Sequence, residues 1–314
     1  MDVPRQYNQP EGEIESWLDL DKTPELVQKR RSQGRMIFDR FIQHRGAIIG
    51  LLFLTVLFLL CFLSPMFWRI DPDSIPNDVA TSRFGPPSLA HPFGTDQVAR
   101  DELARALAGG RISLMVALVS MAGAILLGIG IGSFAGFYGG IIDNLLMRLT
   151  DVFLSVPLYL LLFVLSATFT DGSPRSVIIL IAIVGWTSAA RLVRGEFLAH
   201  REREYILAAR TIGAKNLSLM FRHILPNAAG PIIVNATLLI GYNIILESVL
   251  SFFNFGIRAP NPSWGNMVAG GQGYFDKAPW LVFVPALLIF LTVLSVNLVG
   301  DGLRDALDPH LTER

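Results

Sequence analysis

The residues whose spacing suggests chemistry most clearly lie between Arg191 and Pro226. Tyr205, Ala208, Ala209 and Ile212 fall at i, i+3, i+4 and i+7, and Leu217, Met220, Phe221 and Ile224 repeat the interval. That pattern predicts two short helices, each apolar along one side. Gly213 stands between them, where glycine supplies the left-handed backbone that ends a helix; Asn216 is placed to cap the next helix, and Pro226 closes the unit. With Glu204 and Ala214 these residues form a bent, half-apolar knob, and its chemistry is contact: such helices dock in a groove of another protein. Material for bond making is poor. Cys61 is the only cysteine and lies in an apolar run, and the histidines at 44, 91, 200, 223 and 310 share no metal-ligand spacing. No GxxxxGK[ST] pattern occurs, so the chain lacks that cradle for a nucleotide.

The elements that must hold this knob are membrane spans. The chain has 314 residues, is 52% hydrophobic and 17% charged, and has a mean hydropathy of +0.47, which is too apolar for an ordinary soluble domain. Crossing a hydrocarbon core of about 30 Å takes about 20 apolar residues, and six segments approach that length: 46–68, 112–138, 152–170, 176–190, 228–246 and 278–300. With the amino terminus inside, 18 Lys and Arg fall on the cytoplasmic side and 8 outside, so both termini are expected in the cytoplasm. The 26 basic residues balance 26 acidic ones, and this gives no reason to expect nucleic acid as a partner. The expected organisation is a cytoplasmic leader (1–45), a first span (46–68), an external loop (69–111), a five-helix core (112–303) containing the loop 191–226, and a cytoplasmic tail (304–314). In the leader, Thr23, Pro24 and Glu25 read as a helix start, and Ile37, Phe38, Phe41 and Ile42 share one face. That segment either lies along the membrane surface or is a solvated linker.

Within the spans, Gly128, Gly132, Gly136 and Gly140 form a four-residue ladder suited to close helix contact, with this chain's own helices or with a partner. Asp151, Asn243, Glu247 and Asn297 are the polar exceptions; such residues line a path, anchor at an interface or pack helices. Pro157, Pro231 and Pro285 are expected to kink their spans.

The chain resembles the permease subunits of ABC importers, specifically the C-type subunit of dipeptide, oligopeptide and nickel systems. Their cytoplasmic loop carries Glu-Ala-Ala, three residues, Gly, nine residues, then Ile-x-Leu-Pro; here stand Leu207-Ala208-Ala209, Gly213 and His223-Ile224-Leu225-Pro226. Leu207 and His223 replace the glutamate and isoleucine. The likeness extends to His91-Pro92-Phe93-Gly94-Thr95-Asp96 with Arg100-Asp101, to Pro262 through Met267, and to the tail from Gly300 to Pro309, with Ala99 where the family usually has glycine. It implies an all-α membrane protein of six transmembrane helices, similar to type I ABC importer permeases. The knob then seats on an ATPase subunit. By the same resemblance the partners are a second permease, two ABC ATPases that bind ATP and magnesium, and an extracytoplasmic solute-binding protein. The location implied is the cell inner membrane and the cargo a short peptide, with nickel or another small solute as the alternative. Trp264, Gly265, Asn266 and Met267 would form an external gate, and Trp280 joins either that gate or the interfacial aromatic belt. A self-sufficient secondary transporter would need mid-membrane coupling acids in two matching halves, and a membrane enzyme would need a nucleophile or metal cluster; neither is found.

Overall fold

The computed structural model describes residues 33–308 apart from Arg69 and Asn77; the helix start at Thr23 and the tail beyond Asp308 lie outside the described residues. Among the described residues, thirteen helices and one π-helical stretch follow in order. They are α1 (Gln33–Gln43), α2 (Arg45–Phe67), α3 (Val79–Ser82), α4 (Glu102–Tyr138), α5 (Gly140–Ser155), α6 (Leu158–Phe169), α7 (Pro174–Arg201), α8 (Glu204–Thr211) and α9 (Asn216–Ser218). After α9 come the π-helical Leu219–Ile224, α10 (Leu225–Asn227), α11 (Ala229–Phe252), α12 (Trp264–Gln272) and α13 (Trp280–Leu307). Five of these, α2, α4, α7, α11 and α13, are long and apolar enough to cross a membrane singly.

Three expected boundaries move. α4 begins at Glu102, ten residues before the expected Ile112, because Asp101 caps it by accepting from the Ala104 amide at 2.7 Å. α7 runs on to Arg201, since Ser173 caps its start, Pro174 opens its first turn and the basic residues at its cytoplasmic end suit a helix carboxyl terminus. α13 likewise continues past residue 303 to Leu307. The expected third span, 152–170, is not one helix: α5 and α6 meet at 89°. Pro157 stands at the junction, where it has no amide to continue α5. Pro285 lies inside α13, as does Pro65 inside α2, while Pro231 falls in the first turn of α11, where proline is tolerated and no interior kink results.

The core is the contact of α4 with α7. A Cβ on Gly128 would come within 2.5 Å of the Ala189 Cβ, one on Gly132 would collide with the Ala190 carbonyl oxygen, and one on Gly136 would sit 2.6 Å from the Phe197 Cβ. The ladder therefore packs within this chain. Gly140 does not belong to it, because the helix ends at Gly139 (φ +66) and Gly140 opens α5 with φ +55 and no neighbour within 4 Å of an added Cβ. At the end of the bundle that carries the knob α1 folds against α13: Arg40 donates to the Asp308 carbonyl at 3.0 Å, and His44 caps α2 while lying 3.7 Å from Asp305. Ile37 and Phe41 are half-buried on α1, whereas Phe38 and Ile42 are exposed, so the four do not share one environment.

Two glycines on α4 give a matched comparison. Gly132→Ala is expected to cost about 1–3 kcal/mol through forced separation of α4 and α7, whereas Gly130→Ala, with open space around it, should be neutral or stabilising by up to about 1 kcal/mol. Thermal unfolding of the detergent-solubilised assembly reads both, and equal shifts would contradict the close contact.

Candidate functional site

The knob is built on the inner ends of α4 and α7. Gly213 has φ +88, so the first knob helix does end in the left-handed conformation, with the Gly213 amide donating to the Arg210 carbonyl. Asn216 is not the cap: Lys215 holds that position in extended backbone and makes no side-chain cap bond. The second arm is not a plain α-helix either, since its middle, Leu219–Ile224, is π-helical, a form common at functional sites.

This geometry rotates the expected faces. Ile206, Ala209, Leu219, Met220 and Ile224 are buried in one cluster with Phe137 of α4 and Val193 and Phe197 of α7. Tyr205, Ala208, Ile212, Leu217 and Phe221 point outward, Ile212 with 88% of its surface exposed. The knob is thus apolar on two sides, and sequence periodicity merges them because Ala209, Met220 and Ile224 share a spacing with the outward set. Glu204 is exposed in the first turn of α8, where a carboxylate suits the helix amino end, and Ala214 and the exposed Pro226 flank the buried cluster. Tyr205 bonds His200 Nδ1 at 3.0 Å, and partial burial raises its phenol above the ordinary value.

The half of the bundle opposite the knob is organised by Glu247. It is fully buried on α11 and accepts from Ser113 of α4 at 2.8 Å and from Ser251 at 2.6 Å. Ser251 in turn accepts from the Ile257 amide at 2.9 Å, and Ser113 from the Trp264 amide at 3.3 Å. One carboxyl therefore ties α4, the 253–263 connection and the start of α12. Trp264 is fully buried and donates to the Ala106 carbonyl at 3.0 Å. Gly265 lies against the Ser248 backbone, Met267 is buried, and Asn266 forms a capping box with Ser263. These four residues pack into one end of this chain's own bundle, at the position where the sequence reading expects an external gate. Trp280 donates to the Thr95 carbonyl at 3.2 Å and belongs to the adjoining external fold.

Sequence reading assigned no role to the residues that set that external fold. Asp101 caps α4, takes a bond from Trp68 at 3.3 Å and meets His91 Nδ1 at 2.7 Å. Asp96 accepts from the Val98 and Arg100 amides and from the Arg100 side chain at 2.7 Å. Ala99 has φ +64, the left-handed region where glycine is the unstrained choice. Asp101 ahead of an apolar run was the available signal, as an N-cap.

The four expected path residues do not converge. Asn243 is buried and donates to Ser120 at 2.9 Å; Asn297 is exposed on α13; Asp151 is exposed and paired with Arg191 at 2.6 Å; and Glu247 is the tie already described.

A family model described as binding-protein-dependent transport system inner membrane component matches residues 128–313. A second, the N-terminal TM domain of oligopeptide transport permease C, matches residues 32–87. The oligopeptide transport system permease protein OppC of Bacillus subtilis (strain 168) is 40% identical over 272 residues, 87% of this chain and 88% of the relative. The dipeptide transport system permease protein DppC of the same organism is 37% identical over 98% of this chain and 96% of its own length. Among solved structures, an inward-facing form of the MetNI methionine ABC transporter matches with a TM-score of 0.55 and 18% identity, over 65% of this chain and 96% of that one. A second crystal form of it gives 0.52 and 20%, over 64% and 94%. At that identity the likeness shows the fold.

Glu247→Leu should strand the Ser113 and Ser251 hydroxyls at about 1–3 kcal/mol each and loosen the 253–263 connection. Trypsin added outside is expected to cut after the exposed Arg258 several-fold faster, with Glu247→Gln intermediate. An unchanged cutting rate in Glu247→Leu would argue against the tie.

Proposed function

The chain belongs to the family of binding-protein-dependent transport system inner membrane components, and from that premise we propose that it imports short peptides as one of two permease subunits driven by two partner ATPases. The partners bind ATP and magnesium; a solute-binding protein outside the membrane delivers the peptide. Both termini lie in the cytoplasm, in keeping with 18 Lys and Arg on that side against 8 outside. The peptide cargo is supported by the 40% and 37% identity to relatives named for oligopeptide and dipeptide transport.

The observation that carries this reading is the two-sided knob. Its outward face, Tyr205, Ala208, Ile212, Leu217 and Phe221, is exposed in this chain, and its inward face is packed against Phe137, Val193 and Phe197. A load applied to the outer face passes through close-packed side chains to the inner ends of α4 and α7, with no polar joint between them to slip. Because those helices meet backbone to side chain at Gly128, Gly132 and Gly136, they move as one body. Approach of two ATPase halves can thereby rock the bundle and alternate its access. The catalytic step of ATP hydrolysis belongs to the partners; this chain receives its work.

Ile212→Asp and Leu217→Asp should each cut recovery of the ATPase in co-purification about tenfold or more, equivalent to at least about 1.4 kcal/mol, while the permease keeps its thermal stability. Ala209→Asp, in contrast, places a charge in the inner cluster and is expected to lose the fold. Gly213→Val strains the bend and should lower peptide uptake per ATP hydrolysed in reconstituted vesicles. Full ATPase recovery in both aspartate variants would rule out the docking face, and an unchanged ratio in Gly213→Val would rule out the role of the bend.

A further inference from the structure

The break between α5 and α6 lies at membrane depth. α6 has 12 residues, about 18 Å of helix, too short for a core of about 30 Å. It ends at Phe169, next to the external turn where Ser173 caps α7. Thr187, 13 residues along α7 from Pro174, is about 20 Å from that same end, level with the break. Helix ends carry amides and carbonyls that their own helix does not pair, and lipid cannot satisfy them, so they persist only against protein or water. A cleft of about 360 Å³ opens at this point, lined by Phe153, Ser155, Val156, Pro157, Val184 and Thr187 among others. One turn further in along each wall, Asp151 and Arg191 form their 2.6 Å ion pair with side chains 55% and 50% exposed. Charges at membrane depth are kept out of lipid, facing a cavity or other protein.

We propose that this cleft is a section of the aqueous path, with the α5–α6 break and Thr187 as its wall, and that it receives the main chain of a short peptide. The occupant rests on the peptide-importer reading; the wall does not. Ser155 donates to the Val152 carbonyl at 2.8 Å and Thr187 to the Val184 carbonyl at 3.4 Å. Each hydroxyl oxygen keeps lone pairs that accept from a passing amide. The helix-end backbone supplies further donors and acceptors, and the Asp151–Arg191 pair at the inner mouth carries no net charge. Groups of this kind pair with peptide bonds whatever the side chains, so the wall would pass many sequences.

The buried Cys61 makes the test clean, because it leaves a silent background for single introduced cysteines. Ser155→Cys and Val156→Cys would be compared with Leu160→Cys and Val164→Cys on α6, whose native residues are each 56% exposed. Each variant, in the assembled importer in vesicles, would be treated with a membrane-impermeant methanethiosulfonate, and ATPase recovery would confirm folding. Modification at 155 and 156 should be about tenfold faster than at 160 and 164, and a transported dipeptide or tripeptide with ATP should slow it. Rates at 155 and 156 no higher than at 160 and 164 would overturn the wall. Fast labelling that no transported peptide slows would overturn the occupant. Failure of the unmodified importer to take up any peptide would instead overturn the importer reading itself.

Discussion

Two helices already dissolved in lipid gain nothing from hiding apolar surface against each other, so their union depends on how closely their atoms approach. α4 and α7 solve this with Gly128, Gly132 and Gly136, each set against backbone or Cβ atoms of Ala189, Ala190 and Phe197. The rest of the chain is attached to that pair. α11 and α13 pack around its outer half through Trp264, Ile244 and Leu107, and α6 lies along α7 through Leu162 and Val184. Two ion pairs, Arg194 with Asp143 and Arg191 with Asp151, fasten α5 to α7 toward the knob end of the bundle.

The pair also explains why events at one membrane face can be felt at the other. Its inner end carries the buried half of the knob, and its outer end carries Ser113, which binds both Glu247 and the Trp264 amide. A continuous helix of 37 residues separates Phe137 from Asp101. Rigid helices joined at both ends by dense packing or satisfied hydrogen bonds transmit displacement with little loss. Side-chain chemistry therefore enters only at the ends: an apolar face inside, a buried carboxyl tie and an acidic cap outside.

Long uncharged runs made α2, α4, α11 and α13 legible in the sequence, because burial in lipid leaves a local compositional mark. The bend at Gly213 was legible for a related reason, since a left-handed residue between two apolar repeats favours glycine. Which side of the knob faces inward was not legible. That depends on Phe137, Val193 and Phe197, residues distant in sequence, and on the π-helical register of 219–224, which shifts the periodicity on which the reading relied. Glu247 was visible as an anomaly, but its partner Ser113 lies 134 residues away. The packing of Trp264 on Gly110 was not legible, because an aromatic residue beside a membrane reads the same whether it faces water or fills the space above a distant glycine.

The π-helical stretch has a consequence for how this lineage can vary in length. Such a segment winds more residues into each turn than an α-helix does, so it amounts to a stored surplus residue between Leu217 and Pro226. Deleting one residue there would let the arm relax to ordinary winding. Because the loss is absorbed within that overwound turn, the outward leucine and isoleucine upstream would keep their direction, whereas removing a residue from an ordinary helical turn would swing them about the helix axis by roughly 100°. The arm can thus lose one residue at this turn while its outward face keeps its aim and the spans stay intact.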